Sequence, residues 1–162
     1  MSRRYEFKLF ADYFQFYLQD EGVKGDLSES WTPEAVERLL AVAPGTIGVG
    51  TVRNMDVPVV VEVADEAPDD DASAWDHVNE CSLDVSSGRL VIAGCTDYFP
   101  DAARIELPPR SYRARIYYGN LAALSADGLN GDDHYKIVLW RAAAAPLQVI
   151  RQRVKPEAAA GS

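Results

Sequence analysis

The sequence predicts a mostly β fold, an antiparallel β-sandwich of about eight strands with one short helix near residues 32–43. Three observations carry that expectation. Apolar residues alternate with period two through most of the chain, turn-forming residues recur at short intervals, and only one segment repeats with helical period. A βαβ fold would need helices between the strands, and the sequence offers only one.

In chain order, Tyr13 to Leu18 reads as a strand, with Phe14, Phe16 and Leu18 on one side. The polar stretch Gln19 to Ser30 follows. Thr32 then suits a helix cap, Pro33 the first helical position, and Glu34 the positive end of the helix dipole. Val36, Leu39, Leu40 and Ala43 repeat at helical spacing until Pro44-Gly45 ends the run. Beyond it Ile47, Val49 and Thr51 alternate with Gly48, Gly50 and Val52, and Val57, Val59, Val61 and Val63 form a second strand face. Asn54-Met55-Asp56 between them suits a hairpin turn, and Pro58, lacking an N–H, places its strand at an edge or at a strand start.

His77 to Val85 and Arg89 to Ala93 flank Ser86-Ser87-Gly88, which reads as a second hairpin. Arg104 to Leu107 is short and stops at Pro108-Pro109. Tyr112, Ala114, Ile116 and Tyr118 alternate with Arg113, Arg115 and Tyr117. His134 to Trp140 turns Tyr135, Ile137 and Leu139 inward. One sandwich domain is expected over 1–153, with a disordered tail over 154–162.

The 162 residues include 25 acids against 16 bases, a net charge of −9. That balance argues against direct nucleic-acid binding, which needs a basic face. Leu, Ile, Val and Phe make up about a quarter of the chain, too many for a disordered protein. No apolar run is long enough for a membrane span, and Glu6 and Lys8 interrupt any signal-peptide core, so a cytoplasmic location is expected. Between Asn54 and Gly88 there are ten acids and no Lys or Arg. A solvated loop that aids solubility is the plain explanation; an acidic surface for a basic partner is the sharper one. Asp65, Glu66, Asp69, Asp70 and Asp71 are its candidate contacts, with Asp132 and Asp133 as a second patch and Trp75 as an aromatic anchor. Trp31 is a further aromatic candidate, better explained by packing beside the helix cap.

No cofactor is implied: the glycines at 45, 48 and 50 lie in the wrong context for a phosphate loop. His77, His134 and Asp133 are an alternative metal set, weighed against strand-end histidines bonded to nearby backbone. Cys81 and Cys95 fall on the two arms of the expected second hairpin; a buried, reduced pair is the ordinary outcome in the cytosol. The connection Asn120 to Asp133 is far longer than a hairpin loop requires and is a candidate contact loop for a small molecule or protein.

Several of these residues together resemble the competence protein J family. The aromatic strand with Gln15, the run Trp31-Thr32-Pro33-Glu34-Ala35-Val36-Glu37, Gly45-Thr46-Ile47, Arg53-Asn54 before a valine-rich strand, and Asp133-His134-Tyr135 opening the last strand carry the likeness, from about Asp12 to Trp140. Extra residues around Asp69 to His77 and Gly94 to Ala103, and the extension Pro146 to Arg153, depart from it. The founding member inhibits a nuclease of bacterial competence. The resemblance therefore implies a non-enzymatic binding protein, an inhibitor or immunity-type protein that masks the basic cleft of a nuclease or toxin.

Overall fold

The computed structural model describes residues 3–69, 71–94 and 96–154. Asp70, Cys95 and residues 155–162 of the expected tail lie outside the described residues. The elements are β1 (Arg3–Phe10), β2 (Gln15–Asp20), α1 (Pro33–Arg38), β3 (Leu40–Ala43), β4 (Thr46–Gly50), β5 (Asp56–Ala64), β6 (His77–Val85), β7 (Arg89–Gly94), β8 (Ala103–Glu106), β9 (Arg110–Gly119), β10 (His134–Arg141) and β11 (Gln148–Arg151). A six-stranded sheet runs β1-β5-β10-β9-β6-β11, and a five-stranded sheet runs β3-β4-β2-β7-β8. Neither closes on itself, and the core lies between them, with Phe16, Leu18 and Ile47 of one layer facing Val59, Tyr118, Tyr135 and Ile137 of the other. The mostly β class thus holds, but with eleven strands among the described residues, in two open sheets, rather than eight in one sandwich.

The three additional strands are edges. β1 alternates Tyr5, Phe7 and Leu9 with Arg4, Glu6 and Lys8, and those charges keep its open side from pairing with other chains. β11 is a short edge strand on β6. β3 replaces the second half of the expected helix. Leu39 takes the left-handed conformation, φ 60°, and caps α1 after six residues. Leu40–Ala43 then pairs with β4, so Pro44-Gly45 becomes a hairpin turn instead of a helix stop. Helical spacing of four apolar residues was outweighed by ladder pairing.

Both expected hairpins are crossings between layers. β4 and β5 lie in different sheets, as do β6 and β7, so Asn54-Met55-Asp56 and Ser86-Ser87-Gly88 each carry the chain from one sheet to the other. The two arms of the expected second hairpin are therefore not paired strands. Cys81 is buried in the core, and burial pushes its thiol up to about 12. Nor is the sandwich wholly antiparallel: β10 runs parallel to β5, from Tyr135 opposite Val59 to Trp140 opposite Ala64. β5 is interior, not an edge. Pro58 stands one residue before the length paired with β10, where a missing N–H breaks no bond on that side.

Polar groups fasten the layers. Tyr118 Oη donates to Leu39 O (2.6 Å), and Asn79 Nδ2 donates to both Arg38 O (2.7 Å) and Tyr118 Oη (3.0 Å). Side chains of the six-stranded sheet thus satisfy the carbonyls left open at the end of α1. At the β6–β7 crossing, the Asp20 carboxylate accepts from Ser87 N (3.0 Å), Ser87 Oγ (2.6 Å), Ser86 Oγ (3.1 Å) and Gly22 N (3.3 Å). Burial pushes the Asp20 carboxyl up, but these donors outweigh it and hold it below the ordinary 3.8. A carboxyl depressed on folding stabilises fully above its unfolded value and stops doing so as pH falls through the folded one. Asp20→Asn is expected to cost roughly 1–2 kcal/mol at neutral pH. Urea midpoints of variant and wild type should converge in acid, below the folded value.

Candidate functional site

The segment joining β5 to β6 lies over the outer face of the six-stranded sheet. On that face Glu80 receives Arg113 (3.0 Å) and Arg115 (2.9 Å), and Glu62 receives Arg4 (2.9 Å) and Lys136 (3.5 Å). Arg115 lies over the Trp140 ring at 5.5 Å and also reaches the backbone carbonyls of Pro68 and Asp69, each at 3.4 Å. It therefore grips the acidic segment by its backbone and leaves Glu66 and Asp69 exposed. Asp65 is likewise exposed. Asp71 differs: it is half-buried beside Tyr117, and its Oδ1 finds no hydrogen-bond partner among the described residues. Burial pushes the Tyr117 hydroxyl up to about 12, with Asp71 adding to the rise and Arg115 opposing it. Asp70 lies outside the described residues.

Trp75 packs against Tyr117 (5.2 Å between ring centres) and His134 (5.1 Å), half-buried on the same face. Trp31 lies on the outer face of the five-stranded sheet, where its Nε1 donates to Gln15 Oε1 at 3.0 Å. A Cβ on Gly48 would meet the Trp31 ring at 3.0 Å and Leu27 at 2.7 Å, so glycine is what lets the indole lie against the sheet.

Asp132 and Asp133 separate. Asp132 is exposed. Asp133 is fully buried and does not belong to an acidic surface: Arg53 Nε donates to its Oδ1 (2.7 Å) and Tyr135 Oη to its Oδ2 (2.6 Å). Tyr135 Oη in turn accepts from Val52 N at 3.1 Å. The parallel pairing of β5 and β10 brings the residues preceding each strand to one end of the sheet, where this ion pair forms.

The two histidines do not converge. His77 is opposite Tyr118 and faces the core; His134 is opposite Gly119 and lies on the outer face against Trp75. His77 Nδ1 accepts from Arg153 N (3.0 Å), so its Nε2 carries the proton toward Arg38 O (2.8 Å), and both ring nitrogens are used. Burial holds its pKa below the usual 6.5. His134 Nδ1 contacts Asp132 O at 3.1 Å. Among the described residues no three His, Cys, Asp or Glu side chains cluster as a metal site. The residues of the metal alternative thus do not fit an ion together.

The long connection from Asn120 to Asp133 is a small hairpin of its own. Leu124 bridges Gly131, Ser125 N donates to Asn130 O (2.8 Å), and Leu121 N donates to Asp76 Oδ2 (2.8 Å). What the sequence reading missed is the turn at Tyr13-Phe14. Both residues are left-handed and their rings exposed, whereas the alternation had placed Phe14 inside a strand. No period-two pattern distinguishes such a turn.

Together these features define a two-sheet β-protein whose short helix is docked by side chains of the larger sheet. That fold is shared with solved structures. One is ComJ from Bacillus subtilis, an inhibitor of the DNA degrading activity of NucA (TM-score 0.68, 19% identity, covering 88% of this chain and 99% of that one). Another is the product of crocagin biosynthetic gene J (TM-score 0.60, 20% identity, 86% and 97% covered). No protein-family model and no curated protein matches. The resemblance read from the sequence therefore holds at the level of the fold.

The residues that carried it now have a physical role: Arg53 and Tyr135 both donate to Asp133, Gln15 accepts from Trp31, and Asn54 Oδ1 accepts from Phe14 N (3.3 Å). They are the clamps of the fold. Removing one partner of a buried ion pair strands the other, so Asp133→Ala is expected to cost about 3–5 kcal/mol in urea unfolding. With Arg53→Ala added, the combined loss should fall well short of the sum of the single losses.

Proposed function

We propose that this chain is a non-enzymatic cytoplasmic binding protein, an inhibitor or immunity-type protein that masks the basic cleft of a nuclease or toxin. The fold shared with ComJ, a nuclease inhibitor, is the observation that carries this reading. The charge distribution supports it. With a net charge of −9, bases such as Arg4, Arg113, Arg115 and Lys136 are drawn into ion pairs on the sheet face. Glu66 and Asp69 project from a segment whose backbone Arg115 holds, and Asp132 projects from the β9–β10 hairpin.

A nuclease cleft concentrates positive charge to hold phosphates. Carboxylates fixed in advance can occupy it without the ordering cost that a floppy acidic tail would incur. Asp65 and Asp71 add to the field of the segment, and Trp75 packs beneath it. No helix among the described residues is long and apolar enough to cross a membrane.

The purified chain should slow DNA degradation by its nuclease partner in a stoichiometric manner. NucA of Bacillus subtilis and nucleases of the native host are the enzymes to assay. Glu66→Gln with Asp69→Asn should weaken inhibition about tenfold, chiefly through slower association. Raising the salt concentration should reproduce the effect on wild type. Wild-type protein that inhibits none of these enzymes removes the inhibitor reading; inhibition indifferent to both charge and salt removes its electrostatic basis.

A further inference from the structure

The end of the sandwich where β5 and β10 begin carries a feature that the acidic segment does not explain. Between β1 and β2 the chain passes through Tyr13 (φ 60°) and Phe14 (φ 59°), consecutive non-glycine residues in the left-handed region. That region is disfavoured for any residue with a Cβ, and bulky aromatic residues occupy it rarely. Their rings gain no compensating burial: Tyr13 is 72% and Phe14 53% exposed. The backbone instead is over-determined. Ala11 N donates to Met55 O (3.0 Å), Thr51 N to Phe14 O (2.8 Å), Phe14 N to Asn54 Oδ1 (3.3 Å) and Tyr13 N to Asp12 Oδ1 (3.0 Å). Residues 51–55, which make the first three of these bonds, are themselves fixed on buried Asp133 through Arg53 and Tyr135.

Beside the two rings runs a groove of about 340 Å³, lined by Trp31, Val36, Leu39 and Gly50 as well as Tyr13 and Phe14. Val36 is 57% exposed on α1, and a Cβ on Gly50 would press the Leu39 backbone at 3.1 Å. The groove lining is predominantly apolar, with Gln15 and Thr51 as its polar members, and the segments around it are acidic. Asp12, Glu29, Glu34 and Asp56 lie within residues 11–15, 29–39 and 50–56. The bases in those stretches face elsewhere: Arg38 Nε donates to Leu40 O (2.8 Å), and Arg53 is buried on Asp133. Lys8 approaches Asp56 at 4.0 Å from β1.

We infer that this groove is the docking surface for a protein segment presenting an apolar side chain flanked by Lys or Arg. For the identity of that partner the inference rests on the inhibitor reading. The apolar side chain enters between the displayed rings and α1, and the flanking cations meet the acidic rim. A second copy of this chain suits the groove less well, because its own acidic rim would be brought against this one. The surface is distinct from Asp65 and Glu66, which follow the opposite end of nine-residue β5, about 30 Å away at ~3.3 Å per residue. Asp132, preceding β10, belongs to the groove end.

The test uses the ¹⁵N-labelled full chain titrated with a blocked pentapeptide, Lys-Arg-Phe-Arg-Lys. Amide shifts should concentrate at residues 13–15, 36 and 50. Tyr13→Gly with Phe14→Gly accepts the left-handed backbone, so it should keep the rest of the spectrum and an equal or higher melting temperature while binding the peptide at least tenfold more weakly. A peptide with Glu for each Lys and Arg should not bind. Shifts centred on residues 66–69, undiminished binding by the glycine variant, or equal binding of the acidic peptide would each overturn the inference. So would concentration-dependent shifts at the groove without peptide, accompanied by a dimer in sedimentation. Nuclease assays separate the two readings. Wild type that inhibits nothing yet seats the peptide in the groove refutes the inhibitor reading alone. An inhibitor whose glycine variant inhibits equally well refutes the docking surface alone.

Discussion

A single buried carboxylate organises one end of this molecule. Asp133 has no contact with solvent, and an unpaired charge there would be prohibitively costly. Arg53 and Tyr135 both answer it, and Tyr135 Oη relays the contact to Val52 N. The arrangement is available only because β5 and β10 run parallel, which brings their starting ends side by side. Once residues 51–55 are fixed, they hold the turn at 11–14 by backbone and Asn54 contacts, in a conformation that Tyr13 and Phe14 would not adopt unaided.

The outer faces of the two sheets are handled differently. The larger sheet carries alternating acids and bases across neighbouring strands, so its field is largely cancelled in place. The excess negative charge is moved to the connecting segments, above all 65–69, where Arg115 reaches the backbone carbonyls of Pro68 and Asp69. The smaller sheet uses glycines at 48 and 50, which let Trp31 and Leu39 lie close against the strand. A charge-laced face, a held acidic segment and an apolar groove are thus kept apart on one small fold.

Much of this was legible residue by residue. The cap at Thr32 is present, its Oγ1 accepting from Ala35 N at 3.2 Å, and the alternation in β5, β9 and β10 selected the inward faces. The errors share one cause. Local signals cannot say which sheet a strand joins, so Asn54-Met55-Asp56 and Ser86-Ser87-Gly88 read as hairpins although each spans the two layers. Likewise Leu40–Ala43 has an apolar spacing that suits a helix, and only the availability of β4 as a partner makes it a strand. At the candidate site, Glu66, Asp69 and Asp132 were legible as acids, but the adjacent Asp133 could not be told from Asp132 without its partners.

By itself the sequence determined the β class, the inward faces of the principal strands, the acidic balance and the family-like pairs Arg53-Asn54 and Asp133-His134-Tyr135. Those are properties of residue type and short spacing, fixed by side-chain chemistry and backbone period. Which acids face water, which groups the histidine nitrogens bond, and where two aromatic rings stand exposed beside a groove were decided only in three dimensions. Each depends on contacts between segments tens of residues apart. Arg53 and Asp133, separated by 80 positions, meet only when two distant strands align in the same direction.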